Sequence, residues 1–249
     1  MMIAMTNTAL LNNVDHADLR VIARHSAAFG DNINQALVFP SEYVEVQREY
    51  PIFFRKDANG EYQSLALLGL DEDENLFLDE AGWNARYVPA THARGPFLIG
   101  LQRGETAEQG GEPMIRVDLD HPRVSDTEEG EPVFLPQGGN APYLERVIRA
   151  LRIIHQGADF SKRMFAAFEE CDLLELITVE IKLSDTELVK IPDRYTISQQ
   201  RLGQLSGDKL ESLAQSGFLY AAFLTVASLG NVSRLIEMKN RKRAGQSSL

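Results

Sequence analysis

The side chains best able to do chemistry are scattered along this chain. Asp71-Glu72-Asp73-Glu74-Asn75 has the alternating oxygens that open a calcium loop. Its sixth position is Leu76, where such a loop needs glycine to turn, and its twelfth is Gly82, where it needs a bidentate glutamate. An EF-hand is therefore excluded, and an exposed acidic turn is the expectation, with a looser cation site from Asp71, Asp73 and Asp79 as the alternative. Ser206-Gly207-Asp208-Lys209 fits S-x-x-K, in which a lysine one helical turn on deprotonates the serine. Neither S-D-N nor K-T-G accompanies it, and Ser206 or Asp208 at a helix start is read as a cap. Asp118, Asp120 and His121 would need a further ligand from elsewhere to hold a metal, and His16 and His25 share no helix face. Cys171, the single cysteine, can form no intrachain disulfide and lies on an apolar helical stripe, which suits a core better than a nucleophile. The glycine-rich phosphate loops and the G-x-S-x-G elbow are missing. The sequence leans away from an enzyme, requires no cofactor, and supplies no catalytic residue or metal ligand. The rival expectation is an unrecognised, metal-dependent enzyme built on Asp118, Asp120, His121 and the acidic turn.

What remains is an aromatic and arginine set between Glu49 and Phe97. Large rings combined with a guanidinium fork are what a peptide or protein groove uses. Tyr50, Trp83, Tyr87, Arg94 and Phe97 are accordingly the candidate binding residues, with Phe53 beside them. The same residue types also build a compact β core.

The elements that must position these residues are read from periodicity. Pro51 to Arg55 and Tyr62 to Leu70 form a hairpin around Asn59-Gly60, where both turn residues tolerate positive φ. Short strands follow at Asn75 to Leu78, Pro96 to Gln102 and Met114 to Asp120, and a Gly- and Glu-rich excursion surrounds the last. A helix from about Asn140 carries an apolar stripe through Leu144, Val147, Leu151 and Ile154, with Arg146, Arg149 and Arg152 on its solvated side. Gly157 is expected to end it, and a second helix runs from Asp159 to about Leu174. A second hairpin covers Leu176 to Ser198, followed by helices from Gln199 to Gln215 and from Gly217 to about Met238. The fold class is therefore α+β: an N-terminal antiparallel β meander, a central helix pair, a second β-hairpin and two C-terminal helices. Residues 1–125 form a β-rich lobe and 126–249 an α+β lobe, interlocked or tightly joined.

With 249 residues, of which 44% are hydrophobic, the chain can bury a large core. A net charge of -11 argues against a nucleic-acid partner, and the basic Lys239, Arg241, Lys242 and Arg243 fit the negative end of a helix better than an RNA-binding arm. The run from Phe218 to Leu229 falls short of the roughly 20 residues a membrane span needs. No secretion signal opens the chain, so a cytoplasmic protein is expected.

Several stretches are similar to one bacterial family. YPIFF at Tyr50 to Phe54, LALLGL at Leu65 to Leu70, ENLFLDEAGWNARYVPA at Glu74 to Ala90 and RGPF at Arg94 to Phe97 resemble the SapC family. EGEPVF at Glu129 to Phe134, IPDRYTISQQRLGQL at Ile191 to Leu205 and SGFLYAAFLTVASLGNVSRL at Ser216 to Leu235 continue the likeness. The resemblance implies an accessory or peptide- or protein-binding role linked to surface-layer or outer-membrane uptake systems. It brings no catalytic residues, and the permease label some members carry does not suit this chain.

Overall fold

The computed structural model describes residues 7–101, 113–184 and 187–246. Short strands occupy the first half: β1 (Thr8–Leu10), β2 (Arg20–Val21), β3 (Gln35–Val38), β4 (Ile52–Lys56), β5 (Tyr62–Leu67), β6 (Leu78–Asp79), β7 (Gly82–Trp83), β8 (Phe97–Leu101), β9 (Pro113–Asp118), β10 (Val124–Ser125) and β11 (Glu131–Pro132). Single-turn helices α1 (Tyr43–Val46) and α2 (Ala90–Ala93) interrupt them. The second half runs α3 (Pro142–Glu170), β12 (Leu174–Lys182), β13 (Leu188–Ile197), α4 (Gln199–Gly203), α5 (Gly207–Gln215), α6 (Phe218–Ser228) and α7 (Val232–Gln246).

The mixed α+β architecture is the one expected, but the early strands are shared among several small sheets. The largest has the order β12-β13-β4-β5-β3, and so joins the first hairpin to the second across the middle of the chain. Smaller sheets have the orders β1-β9-β8 and β10-β2-β11, and β6 pairs with β7. The β4–β5 turn forms as its chemistry predicts: Gly60 takes φ +81°, and the Asp57 carboxylate accepts the N–H groups of Asn59 and Glu61. The polar excursion expected after Gln102 lies outside the described residues up to residue 112.

Two apolar clusters result, and α3 serves both. Its first half places Leu144, Val147 and Leu151 against Val21, Phe97 and Val117. Its second half places Met164, Phe165 and Phe168 against Phe54 and the large sheet. The predicted break at Gly157 is absent, and α3 runs 29 residues without interruption. A Cβ on Gly157 would stand 2.5 Å from the Cβ of Phe39, so the glycine serves close packing and its helix penalty of about 1 kcal/mol is outweighed.

Other helix boundaries differ for equally local reasons. The helix expected from Gln199 to Gln215 is two, α4 and α5. Ser206 opens α5 at the N-cap position with no side-chain cap bond. At the turn before α1 the cap is Glu42, whose carboxylate accepts the Phe39 N–H at 3.0 Å. The neighbouring Ser41 hydroxyl instead donates to the Ile153 carbonyl at 3.4 Å. The apolar α6 is not central: Phe218, Ala221, Ala222 and Thr225 are buried, but Tyr220 and Phe223 are 59% and 53% exposed. Helical structure continues past the expected end at Met238, and Phe218–Gly245 is by length and composition apolar enough to cross a bilayer. In this fold Lys239 on its last turns is buried and bonded to Asp71 at 2.5 Å and to Glu74 at 2.8 Å.

Candidate functional site

Three of the five expected binding residues meet. Tyr50 is buried under β4, and its hydroxyl donates to the Tyr87 carbonyl at 2.6 Å while accepting the Trp83 Nε1–H at 2.8 Å. The Tyr87 hydroxyl donates to Glu42 at 2.7 Å, and the same carboxylate oxygen accepts the Ala90 N–H at 2.9 Å. Burial pushes the Tyr50 and Tyr87 hydroxyls above the usual phenol range, so both stay neutral donors. Burial also raises Glu42, against the donors that surround it. These polar atoms are engaged with one another, and this chain ties α1 to the segment leading into α2.

Trp83 continues the network into a buried ionic centre that no spacing in the sequence announced. Its ring stands 5.3 Å from His25 and 5.4 Å from His92, edge-on to the first and tilted to the second. The Nδ1 atoms of both imidazoles lie 3.3 Å from one oxygen of Asp31. The other Asp31 oxygen accepts from Arg123 at 2.5 Å and from the Ser26 N–H at 2.9 Å. Arg123 also donates to the Arg24 carbonyl at 2.8 Å and approaches His25 Nδ1 at 2.9 Å. His25 Nδ1 thus meets a donor and an acceptor together and can satisfy only one of them at a time. Burial alone would raise the Asp31 carboxyl; the two imidazoles and the guanidinium outweigh it and hold the acid well below the usual carboxylate range.

Arg94 and Phe97 belong to a different place. Phe97 is wholly buried in the second apolar cluster, and it offers the site only its carbonyl, which accepts from Arg94 at 2.7 Å. Arg94 follows α2 and lies half-buried in a groove of about 530 Å3. Leu37 of β3, Leu98 and Ile99 of β8, and Leu151 and Ile154 of α3 form its apolar walls. Among the described residues no carboxylate pairs with Arg94; its bonds go to the carbonyls of Phe97 and, at 3.5 Å, Gly95. Burial lowers its pKa and no acid opposes the shift. Its positive field reaches His121, whose pKa is lowered by burial first, then by Arg123 and Arg94. A guanidinium in apolar walls without a counter-ion can receive a carboxylate by a charge-assisted fork.

The other candidate chemistry resolves into local bonding. Asp118 accepts the Asp120 N–H at 3.2 Å, Asp120 accepts the Asn7 N–H at 3.2 Å, and His121 Nδ1 accepts the Arg123 N–H at 3.1 Å. Asp79 accepts the Ala81 N–H at 2.8 Å within the β6–β7 turn. Among the described residues no three His, Cys, Asp or Glu side chains gather as a metal would require. Cys171 sits at the C-cap of α3, partly buried against the edge of the larger apolar cluster, and burial raises its thiol pKa.

The fold and groove define a mixed α+β protein with a cationic, largely apolar-walled cleft. The chain belongs to the SapC family, whose family model matches residues 11–235. Comparisons with curated proteins and with solved structures found no match.

Proposed function

We propose that the protein is a non-enzymatic accessory protein that binds a peptide or protein partner in the groove beside Arg94, in service of a bacterial surface-layer or outer-membrane uptake system. The observation that carries this reading is the half-buried Arg94 guanidinium, which has carbonyl partners and no carboxylate among the described residues. The association with surface systems is what likeness to the SapC family implies, and the chain's membership of that family is the support for it. The site is narrower than the aromatic set read from the sequence. Tyr50, Trp83 and Tyr87 hold the wall behind it through Glu42 and α2, and Arg94 is the contact residue.

Affinity capture from extracts of the source cells tests the reading. A partner recovered by wild type should be lost from Arg94→Ala and from Ala158→Trp, which fills the groove from an exposed position on α3. Equal recovery by both folded variants would sink the assignment of binding to this groove.

A further inference from the structure

The groove is flanked by two strand edges, and the direction of their main-chain groups decides what suits it. Among the described residues β8 pairs only with β9, and β3 only with β5. The Asp118 N–H donates to the Pro96 carbonyl, which makes Phe97 and Val117 a non-hydrogen-bonded pair. Leu98 therefore exchanges its bonds with Arg116, and the N–H and carbonyl of Ile99 face the open edge. On the opposite side the Leu68 N–H donates to the Asn34 carbonyl, which by the same phase turns the main-chain groups of Leu37 outward. The Leu37 carbonyl is taken by Thr91 Oγ1 at 2.8 Å, so that edge is partly capped. The β8 edge is the freer one.

Arg94 occupies the first slot of that edge, because its guanidinium holds the outward-facing carbonyl of Phe97. A strand added along β8 could pair at Ile99 and would then run into Arg94. We infer that the groove takes the C-terminal end of an extended peptide with apolar last residues, laid antiparallel to β8, its main chain paired with Ile99 and its terminal carboxylate on Arg94. The inference rests on the peptide-binding reading above and specifies its ligand. Charge complementarity favours this occupant, since the fork of Arg94 has donors for two carboxylate oxygens beyond its carbonyl bonds and the walls, Thr91 and His155 apart, offer apolar surface to alternate side chains. A groove of about 530 Å3 suits a chain end better than a long continuous segment.

Fluorescein-labelled hexapeptides ending in Val-Val-Leu, one a free acid and one a C-terminal amide, are titrated with the full-length protein by fluorescence anisotropy. Laurate is titrated in parallel. The acid should bind at least about tenfold more tightly than the amide, the size expected for one charge-assisted bond pair. Arg94→Met should bring the two within about twofold, Arg94→Lys, which keeps the charge without the fork, should fall between, and Ala158→Trp should weaken both peptides. Equal binding of acid and amide to wild type, abolished by Ala158→Trp, would overturn the carboxylate seat and leave the peptide-binding reading standing. An acid preference that survives Arg94→Met, or binding of laurate without either peptide, would also overturn it. Partner capture that ignores Ala158→Trp would instead refute the groove as the binding site.

Discussion

Arg123 and Arg94 stand near the same imidazole, His121, yet they lead opposite lives. The Arg123 side chain is 4% exposed and faces the Asp31 carboxylate, the His25 ring and a set of carbonyls. Arg94 is half-buried, holds the Phe97 carbonyl, and has no acid near it among the described residues. A cation whose bonds are all made inside the fold is part of the architecture. One that folding leaves without a counter-ion, in a cleft of apolar walls, is available to a ligand. Burial alone therefore does not separate structure from function in this protein; the completeness of the partner set does.

The largest effect should come from breaking the complete set. Asp31→Asn leaves Arg123 buried without its counter-charge and is expected to destabilise the fold by about 3–5 kcal/mol in urea unfolding. Arg94→Met loses the bond to the Phe97 carbonyl and the longer one to Gly95, and is expected to cost about 1 kcal/mol. Equal losses from the two variants would erase the distinction between the two arginines. The Lys239 cluster sharpens it, because there too a buried cation is fully partnered. Lys239→Met should cost about 3 kcal/mol, somewhat less than Asp31→Asn, since Lys242 remains 3.3 Å from Glu74. Burial alone would raise the Glu74 carboxyl, and the Lys239 ammonium, the Leu70 N–H and Lys242 together outweigh it. A loss below about 1 kcal/mol would mean that the α7 cluster behaves as an ordinary surface pair.

The two arginines also mark how far the sequence could be read. Asn59-Gly60 announced its hairpin, and Leu188 to Ile197 announced the second, because turn chemistry and alternation are local. Arg94 and the aromatic rings were legible as residue types, but their separation into a wall and a cleft was not. Tertiary packing also explains why a glycine expected to end a helix lies inside one, since Phe39 packs directly against Gly157. The Asp31 centre was invisible for a different reason. His25, Asp31 and Arg123 come from loops or turns and His92 from the single-turn α2, with no shared period, and only the folding of β2, α2 and the β9–β10 connection brings them together. A buried Asp in a Gly-Asp-Asn turn gives no hint of two imidazoles and a guanidinium. The exposed rings of α6 show the converse, since residue type alone would bury Tyr220 and Phe223, yet both face solvent.

The smallest predicted effect isolates the charge on Asp31 from its packing. The folded-state pKa of this acid lies below its unfolded value, so its contribution to stability is full above the unfolded value, near 3.9, and is lost as pH falls toward the folded one. At pH 3 the folded carboxyl remains ionised while the unfolded one is mostly protonated. The unfolded value alone then sets the loss at about 1 kcal/mol relative to neutral pH. Other carboxylates titrate in the same window, and Glu42, raised by burial, contributes with the opposite sign as pH falls through its folded value. The quantity to measure is therefore the difference between wild type and Asp31→Asn across pH 3 to 7 by urea unfolding. The gap between them should narrow by about 1 kcal/mol at the acid end. Arg94→Met carries no such linkage to Asp31, so its gap from wild type should stay flat through the carboxylate window near 3.9, any change falling instead in the imidazole range of His121, which Arg94 helps to lower. A gap for Asp31→Asn that is equally flat would mean that the neutral side chain bonds to His25, His92 and Arg123 as well as the carboxylate does, and that the ionic centre is a packing device instead of a charged one.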